Sequence, residues 1–275
     1  MEPKATPPTI GLKDYIAPGT KIAGFKGILP VANDVCRQHA DVNCNRGLPE
    51  ALGQRRHLTV IANGPSARDV NLGLHSPTLA LNGSIGLFTA QGIAPDFWAC
   101  CDPQECVADF LPEHPDRYTT YFVASKCHPR VFDKLAQNHC RVRIWHLPDF
   151  PTAGKAHAPL CSTITLCATW LMFRQGFTDF DYYGWDGCFM DGRHHTIGDA
   201  DWGEPPLYIN YDGKVVNGEI VGGRTFATTR AWALEAEGAG QFFQLAKYFD
   251  IGVVLHGDGM FRYVKEFNEK PGDNQ

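Results

Sequence analysis

Short apolar runs recur along the chain from residue 57 onward. HLTVIA (57–62), TLALN (78–82), FWACC (97–101), TTYFVA (119–124), VRIWHL (142–147), DFDYYGW (179–185) and IGVVLH (251–256) have the length and β-branched or aromatic content of buried strands. Between them lie segments with helical punctuation. SIGLFTAQG (84–92) stops at a Gly that leads into the next strand. HPRVFDKLAQN (128–138) gathers Val131, Phe132 and Leu135 on one face, and STITLCATWLMFRQG (162–176) opens on a Ser able to cap it. TTRAWALEAEGAGQFFQLAKYF (228–249) is the longest, with Gly238 and Gly240 as soft points. Strand and helix in alternation predict crossover units and a doubly wound, mainly parallel α/β sheet with helices on both faces.

Two stretches depart from this rhythm. Residues 1–56 carry Pro, Gly and scattered charge with weak periodicity, and read as an N-terminal arm on a domain spanning 57–258, with 259–275 as a tail. Residues 187–224 form a Gly-, Asp- and His-rich insertion after a late strand, the expected place for an active-site lid. Within it, LYINYDGKVVN predicts a small hairpin that turns at its Asp-Gly.

Composition narrows the class. Apolar residues make up 44% and charged residues 20% of 275, a globular balance, and a chain of this size buries roughly three quarters of its unfolded surface. The 25 Lys and Arg against 30 Asp and Glu leave a net charge of −5, which speaks against nonspecific binding to nucleic acid or to a membrane surface. No apolar stretch reaches the roughly 18 residues of a membrane span, and the N-terminus has no signal-peptide core, so a cytoplasmic location with reduced thiols is expected. The ten cysteines fit that expectation. Most sit inside apolar runs, and Cys36/Cys44 and Cys101/Cys106 lack zinc-site spacing.

In a doubly wound sheet, ligands bind beyond the carboxyl ends of the strands, so the residues just after each run carry the chemistry. These are Asn63-Gly64-Pro65-Ser66, Asn82-Gly83-Ser84, Asp102, Ser125-Lys126, Asp186 and His256-Gly257-Asp258. NGPS joins a Gly, a fixed-φ Pro and a hydroxyl in one turn, suited to close backbone approach and phosphate contact, although the same tetrapeptide also makes an ordinary turn. It is neither GxGxxG nor a P-loop, which lowers the case for dinucleotides and the standard ATP cradle. Asn82 and Asp102 can hold a base or ribose hydroxyls, or can cap helices.

The series IANGPSARD, LALNGS and GIAPDFWACCDP resembles the amino-terminal half of a Rossmann-like superfamily. That group includes 6-hydroxymethylpterin diphosphokinase-like proteins and motility-associated glycosyltransferases. The chain is also similar to bacterial CMP-sialic-acid-dependent sialyltransferases, through CSTITLCATWLMFRQGFTDFDYYGWDG and the final long helix and strand. The likeness covers roughly 57–258 and implies a Rossmann-like fold. The sialyltransferase resemblance implies nucleotide-sugar contacts at Asn63, Asn82, Ser162 and Asp186. The diphosphokinase resemblance implies Mg²⁺ and nucleotide phosphates held by acidic groups, Asp102 foremost. The chain departs from the sialyltransferase pattern where a general-base His precedes the long C-terminal helix, since Arg224, Thr225 and Phe226 stand there.

The insertion offers substitutes for that base. His194 and His195, with Asp186, form the candidate catalytic set, because a near-neutral imidazole can take a proton from an acceptor hydroxyl. Gly64, Ser66 and Arg224 join the nucleotide-binding set, with Arg193 and Arg224 as partners for a diphosphate. Asp199 and Asp201 read as a DxD metal motif or as ordinary loop acids, and His194, His195 and Asp199 offer nitrogen and oxygen donors to a metal, Mg²⁺ being the candidate for the acids. The leading expectation is transfer of a sugar from a nucleotide sugar to a hydroxyl. The alternatives are a Mg²⁺-dependent diphosphokinase acting on a pterin-like hydroxymethyl compound, with Trp98, Tyr183 and Trp185 lining a flat pocket, and a nucleotide-binding protein without turnover. The acceptor and any homo-oligomer are left open by the sequence.

Overall fold

In a computed structural model of the protein, the structure describes residues 56–147, 163–193, 195–196, 206–212, 214–216 and 219–269. The seven apolar runs become seven strands of one sheet: β1 (His57–Ile61), β2 (Thr78–Leu81), β3 (Phe97–Cys100), β4 (Thr120–Ala124), β5 (Arg141–Trp145), β6 (Asp179–Tyr183) and β11 (Gly252–Leu255). Their order is β11-β6-β1-β2-β3-β4-β5, and every pairing is parallel. The expected α/β sheet is present.

The central strands are covered on both faces, and β2 is buried along its whole length. The edge strands β5 and β11 keep exposed positions, as sheet edges in contact with water do. Among the described residues, five α-helices accompany the sheet: α1 (Ile85–Ala90), α2 (Pro129–Gln137), α3 (Ile164–Arg174), α4 (Arg230–Tyr248) and α5 (Met260–Glu269). With this strand order, the right-handed rule for parallel crossovers assigns α1 and α2 to one face and α3 and α4 to the other. Edge-on ring contacts of Trp170 in α3 with Phe242 and Phe249 join those last two elements. In α4, Ala233, Ala236, Ala239, Phe243 and Ala246 form a buried helical stripe, and Gly238 and Gly240 do not interrupt it.

Three details differ from the sequence reading. The Ser expected to cap α3 is displaced by Thr163, which holds the N-cap position; Ser162 itself lies outside the described residues. Residues 260–269, read as part of a tail, form α5 instead, where Met260, Phe261 and Val264 are buried. The Asp-Gly hairpin is also replaced. β7 (Leu207–Tyr211) pairs antiparallel with β10 (Arg224–Thr228), and β8 (Lys214–Val216) pairs with β9 (Glu219–Val221). The apolar residues Tyr211 and Phe226 decide this, because the β7–β10 pairing buries both against Tyr263 of α5.

Among the described residues, no helix is long and apolar enough to cross a membrane. Of the described cysteines, Cys100, Cys127, Cys167 and Cys188 are buried, and Cys106 is exposed.

Candidate functional site

Strand order locates the site. From β1 the chain winds outward through β2 to β5, then returns to the far side of β1 as β6 and continues to β11. The winding therefore reverses between β1 and β6, and the crevice beyond their carboxyl ends is the topological switch point. NGPS follows β1, and Gly184-Trp185-Asp186 follows β6.

The two strand ends are laced together. The Gly64 N–H donates to Gly184 O (2.8 Å), and the Gly184 N–H returns a bond to Ser66 Oγ (2.9 Å). The Ser66 N–H donates to Asp186 Oδ2 (2.9 Å). A Cβ at Gly64 would lie 2.4 Å from Gly184 O and 2.6 Å from Asp186 Oδ2, so only glycine permits this approach. The loop after β11 closes the third side. Gly257, with φ +89°, packs on Ser66, and a Cβ at Gly259 would fall 2.5 Å from Asp186 Cα.

Asp186 is 2% exposed, and its Oδ1 is buried without a hydrogen-bond partner among the described residues. Burial lifts its carboxyl above the ordinary carboxylate range, and the bonds from Ser66 act in the opposite direction. A desolvated carboxylate with one oxygen anchored and one oxygen unsatisfied is primed to accept from a hydroxyl or an N–H.

The Asn63 side chain reaches the next strand end, at Gly83 beside Asn82. A Cβ at Gly83 would lie 3.3 Å from Asn63 Nδ2. Asn82 sits in the left-handed region (φ 48°), its carbonyl accepts from Trp98 Nε1 (2.9 Å), and its Oδ1 is also buried without a partner among the described residues. Ser84 joins β1 to β2 by donating to Ile61 O (2.6 Å) and accepting from the Leu81 N–H (2.8 Å).

Across 86% of its length, the chain resembles the structure of MAf glycosyltransferase from Magnetospirillum magneticum AMB-1, at 13% identity and a TM-score of 0.54. That likeness is one of fold, the expected Rossmann-like α/β sheet. The chain spans 40% of that protein. No family model and no curated protein matches the sequence.

Of the candidate base residues, His195 lies in a segment that folds back onto the NGPS turn. Its neighbour Thr196 donates through N–H to Asn63 O (2.7 Å) and through Oγ1 to Gly64 O (2.6 Å). The half-buried His195 ring stands edge-on to Trp232, 6.0 Å between centroids. The insertion is anchored at its other end as well, where Phe189 N–H donates to Ala227 O (2.7 Å) and Thr228 Oγ1 to Gly187 O (2.6 Å). Thr196 was not signalled by motif, because a hydroxyl bonded to backbone leaves no spacing pattern.

The remaining candidates are placed differently. Asp102, two strands from β1, accepts from the Gln104 N–H (2.9 Å); burial raises its carboxyl, with Lys126 acting the other way. Arg224 forms a two-pronged pair with Asp258, Nη1 to Oδ1 at 2.7 Å and Nη2 to Oδ2 at 2.5 Å. It therefore stands at the rim beside the Gly257–Gly259 loop, already neutralised, and a diphosphate would have to compete with Asp258 for it. Trp98 (fully buried) and Trp185 (5% exposed) belong to the core rather than to the walls of a flat pocket, while Tyr183 stacks on His256 at 4.0 Å. Ser162, His194, Asp199 and Asp201 lie outside the described residues. Among the described residues, no group of three or more His, Cys, Asp or Glu is arranged to hold a metal ion.

Proposed function

We propose that the chain is a nucleotide-sugar-dependent glycosyltransferase, with the nucleotide bound at the β1/β6 switch point. The observation that carries this reading is Asp186, held by the Ser66 N–H through one carboxylate oxygen and left with the other buried and unsatisfied. Such an oxygen accepts from a sugar or ribose hydroxyl. The unsatisfied Oδ1 of Asn82 supplies a second acceptor at the adjacent strand end. The fold likeness to a glycosyltransferase supports the same class.

In the mechanism proposed, His195 takes the proton of the acceptor hydroxyl as that oxygen bonds to the anomeric carbon. The bond from that carbon to the phosphate oxygen breaks, and the nucleotide leaves with the electron pair. Arg224, once released from Asp258, would meet the developing phosphate charge.

The test is to incubate the full chain with CMP-, UDP- and GDP-sugars, following thermal unfolding and nucleotide release. A rise in melting temperature with one nucleotide class and release of that nucleotide are the expected results. No shift and no release with any of them would overturn the reading. AMP release from ATP with a hydroxymethylpterin would establish the diphosphokinase instead. Binding without release, unchanged in His195→Ala, would establish a nucleotide-binding protein.

A further inference from the structure

Glu235 is an acid in the second turn of α4, only 3% exposed, on a face otherwise formed by alanines and phenylalanines. Two donors converge on its Oε1: the Thr163 hydroxyl at 2.5 Å and the Trp185 indole N–H at 3.1 Å. Both donors come from strand-end or helix-start positions on the carboxyl side of the sheet. Thr163 is the N-cap residue of α3, yet its hydroxyl makes no cap bond, because it is turned to Glu235. Trp185 is the residue immediately before Asp186.

Local geometry makes Trp185 a lever on that aspartate. It stands between Gly184 and Gly187, both at positive φ, and neither tolerates a side chain, since a Cβ would meet Ala62 O at 2.4 Å and the Phe261 ring at 2.4 Å. Its indole packs among Tyr182, Phe243 and Phe261 at centroid distances of 5.0–5.7 Å. With the backbone pinned at both sides, the direction of the Asp186 side chain follows the seating of the Trp185 ring. That seating has one polar tie, to Glu235.

We infer that Glu235 is a positioning residue: through the Trp185 indole and the Thr163 hydroxyl, it sets the Asp186 carboxylate against Ser66, and it does so more firmly when ionised. The inference rests on Asp186 being the central carboxylate of the proposed site. Hydrogen bonds to a charged acceptor are shorter and stronger than those to a neutral one, so the two forms of Glu235 grip the two elements unequally. Burial pushes the Glu235 carboxyl up to about 7, so both forms are populated near neutrality. Facing it are Thr163 from α3 and Trp185 from the β6 loop, and no charged side chain among the described residues contributes to its titration.

The experiment uses the full chain and needs no ligand. Tryptophan emission is titrated from pH 5 to 9 in the wild type, Glu235→Gln, Thr163→Val and Trp185→Phe. Amide exchange at Ser66, which reports its bond to Asp186, is compared at a single pH above 8, with Ala99 in the core as the reference. The expected result is an emission change centred near neutrality that is lost in Glu235→Gln and in Trp185→Phe. Relative to Ala99 in the same protein, Ser66 should exchange roughly fivefold faster in Glu235→Gln and in Thr163→Val than in wild type. An emission change that persists in Glu235→Gln, or a Ser66 rate equal to wild type in both variants, overturns the inference. Should Glu235→Gln fail to fold, Thr163→Val and the wild-type titration decide alone. Absence of nucleotide binding would strike the proposed function and leave these readouts standing.

Discussion

The backbone N–H of Ser66 reaches Oδ2 of Asp186 across 2.9 Å, joining positions 120 residues apart at the reversal point of the sheet. This bond consumes one lone-pair site of the carboxylate and leaves Oδ1 buried and unsatisfied beside the Gly257 turn. Asp186→Asn keeps an oxygen for Ser66 while replacing the second acceptor with a donor. The expected outcome is a folded protein, melting within a few degrees of wild type, whose thermal shift with nucleotide is lost. Calorimetric titration with the nucleotide that stabilises the wild type checks it.

Gly64→Ala should be costly despite adding a single methyl. The new carbon would meet a backbone carbonyl at 2.4 Å, which cannot rotate away, and Asp186 Oδ2 at 2.6 Å. Overpacking of this kind costs about 1–3 kcal/mol, and in a chain of this size each kcal/mol lowers the melting temperature by roughly 2–4 °C. Thermal denaturation monitored by circular dichroism reads it directly. An unchanged melting temperature would show that the two strand ends are less tightly joined than their distances imply.

Glu235 also makes a prediction about stability against pH. Its carboxyl is raised from an ordinary 4.5 to about 7, so the folded state holds the proton more tightly than the unfolded chain does. The stability arising from this difference is fully present below pH 4.5 and declines as pH rises through about 7. It amounts to roughly 3 kcal/mol in total. Glu235→Gln cannot titrate, so the stability of wild type relative to the variant should fall by about that amount between pH 4.5 and 7, then level off. Urea denaturation of both proteins at several pH values measures it.

His195 and Thr196 separate chemistry from placement. His195→Ala should lower glycosyl transfer by about 10²–10⁴-fold with little change in nucleotide affinity. Thr196→Val removes the 2.6 Å bond to Gly64 O, worth about 1 kcal/mol, and should weaken both binding and turnover by freeing the segment from the turn. Initial-rate kinetics with a matched binding titration distinguish the two patterns.

The centre of the main sheet was legible because its strands are short apolar runs whose burial matches their hydrophobicity, as in TLAL and FWAC. The switch-point turn was legible too, since Asn63, Gly64, Ser66 and Asp186 fall directly after such runs. The β7–β10 pairing was not, because Asp212-Gly213 is a strong local turn signal that tertiary packing of Tyr211 and Phe226 overrode. A better signal stood nearby, in the Asn217-Gly218 dipeptide between the paired residues Val216 and Glu219. Helix α5 was hidden by its mixed composition, MFRYVKEFNE, and by its place near the chain end. Glu235 could have been noticed as an acid three residues after Trp232 and four before Ala239, on the buried stripe of α4. Thr196 had no such mark.

Strand order carries one more consequence. The pairing of β1 with β6 brings together segments more than a hundred residues apart, and β11 adds the last wall, so the crevice cannot exist before nearly the whole domain has assembled. Pairings this remote in sequence close late, because the loop entropy is spent before any contact returns it. A ligand lodged between NGPS and Asp186 would span this long-range seam. Occupancy would then slow unfolding of the entire sheet and make a bound ligand a sensor of a completed fold.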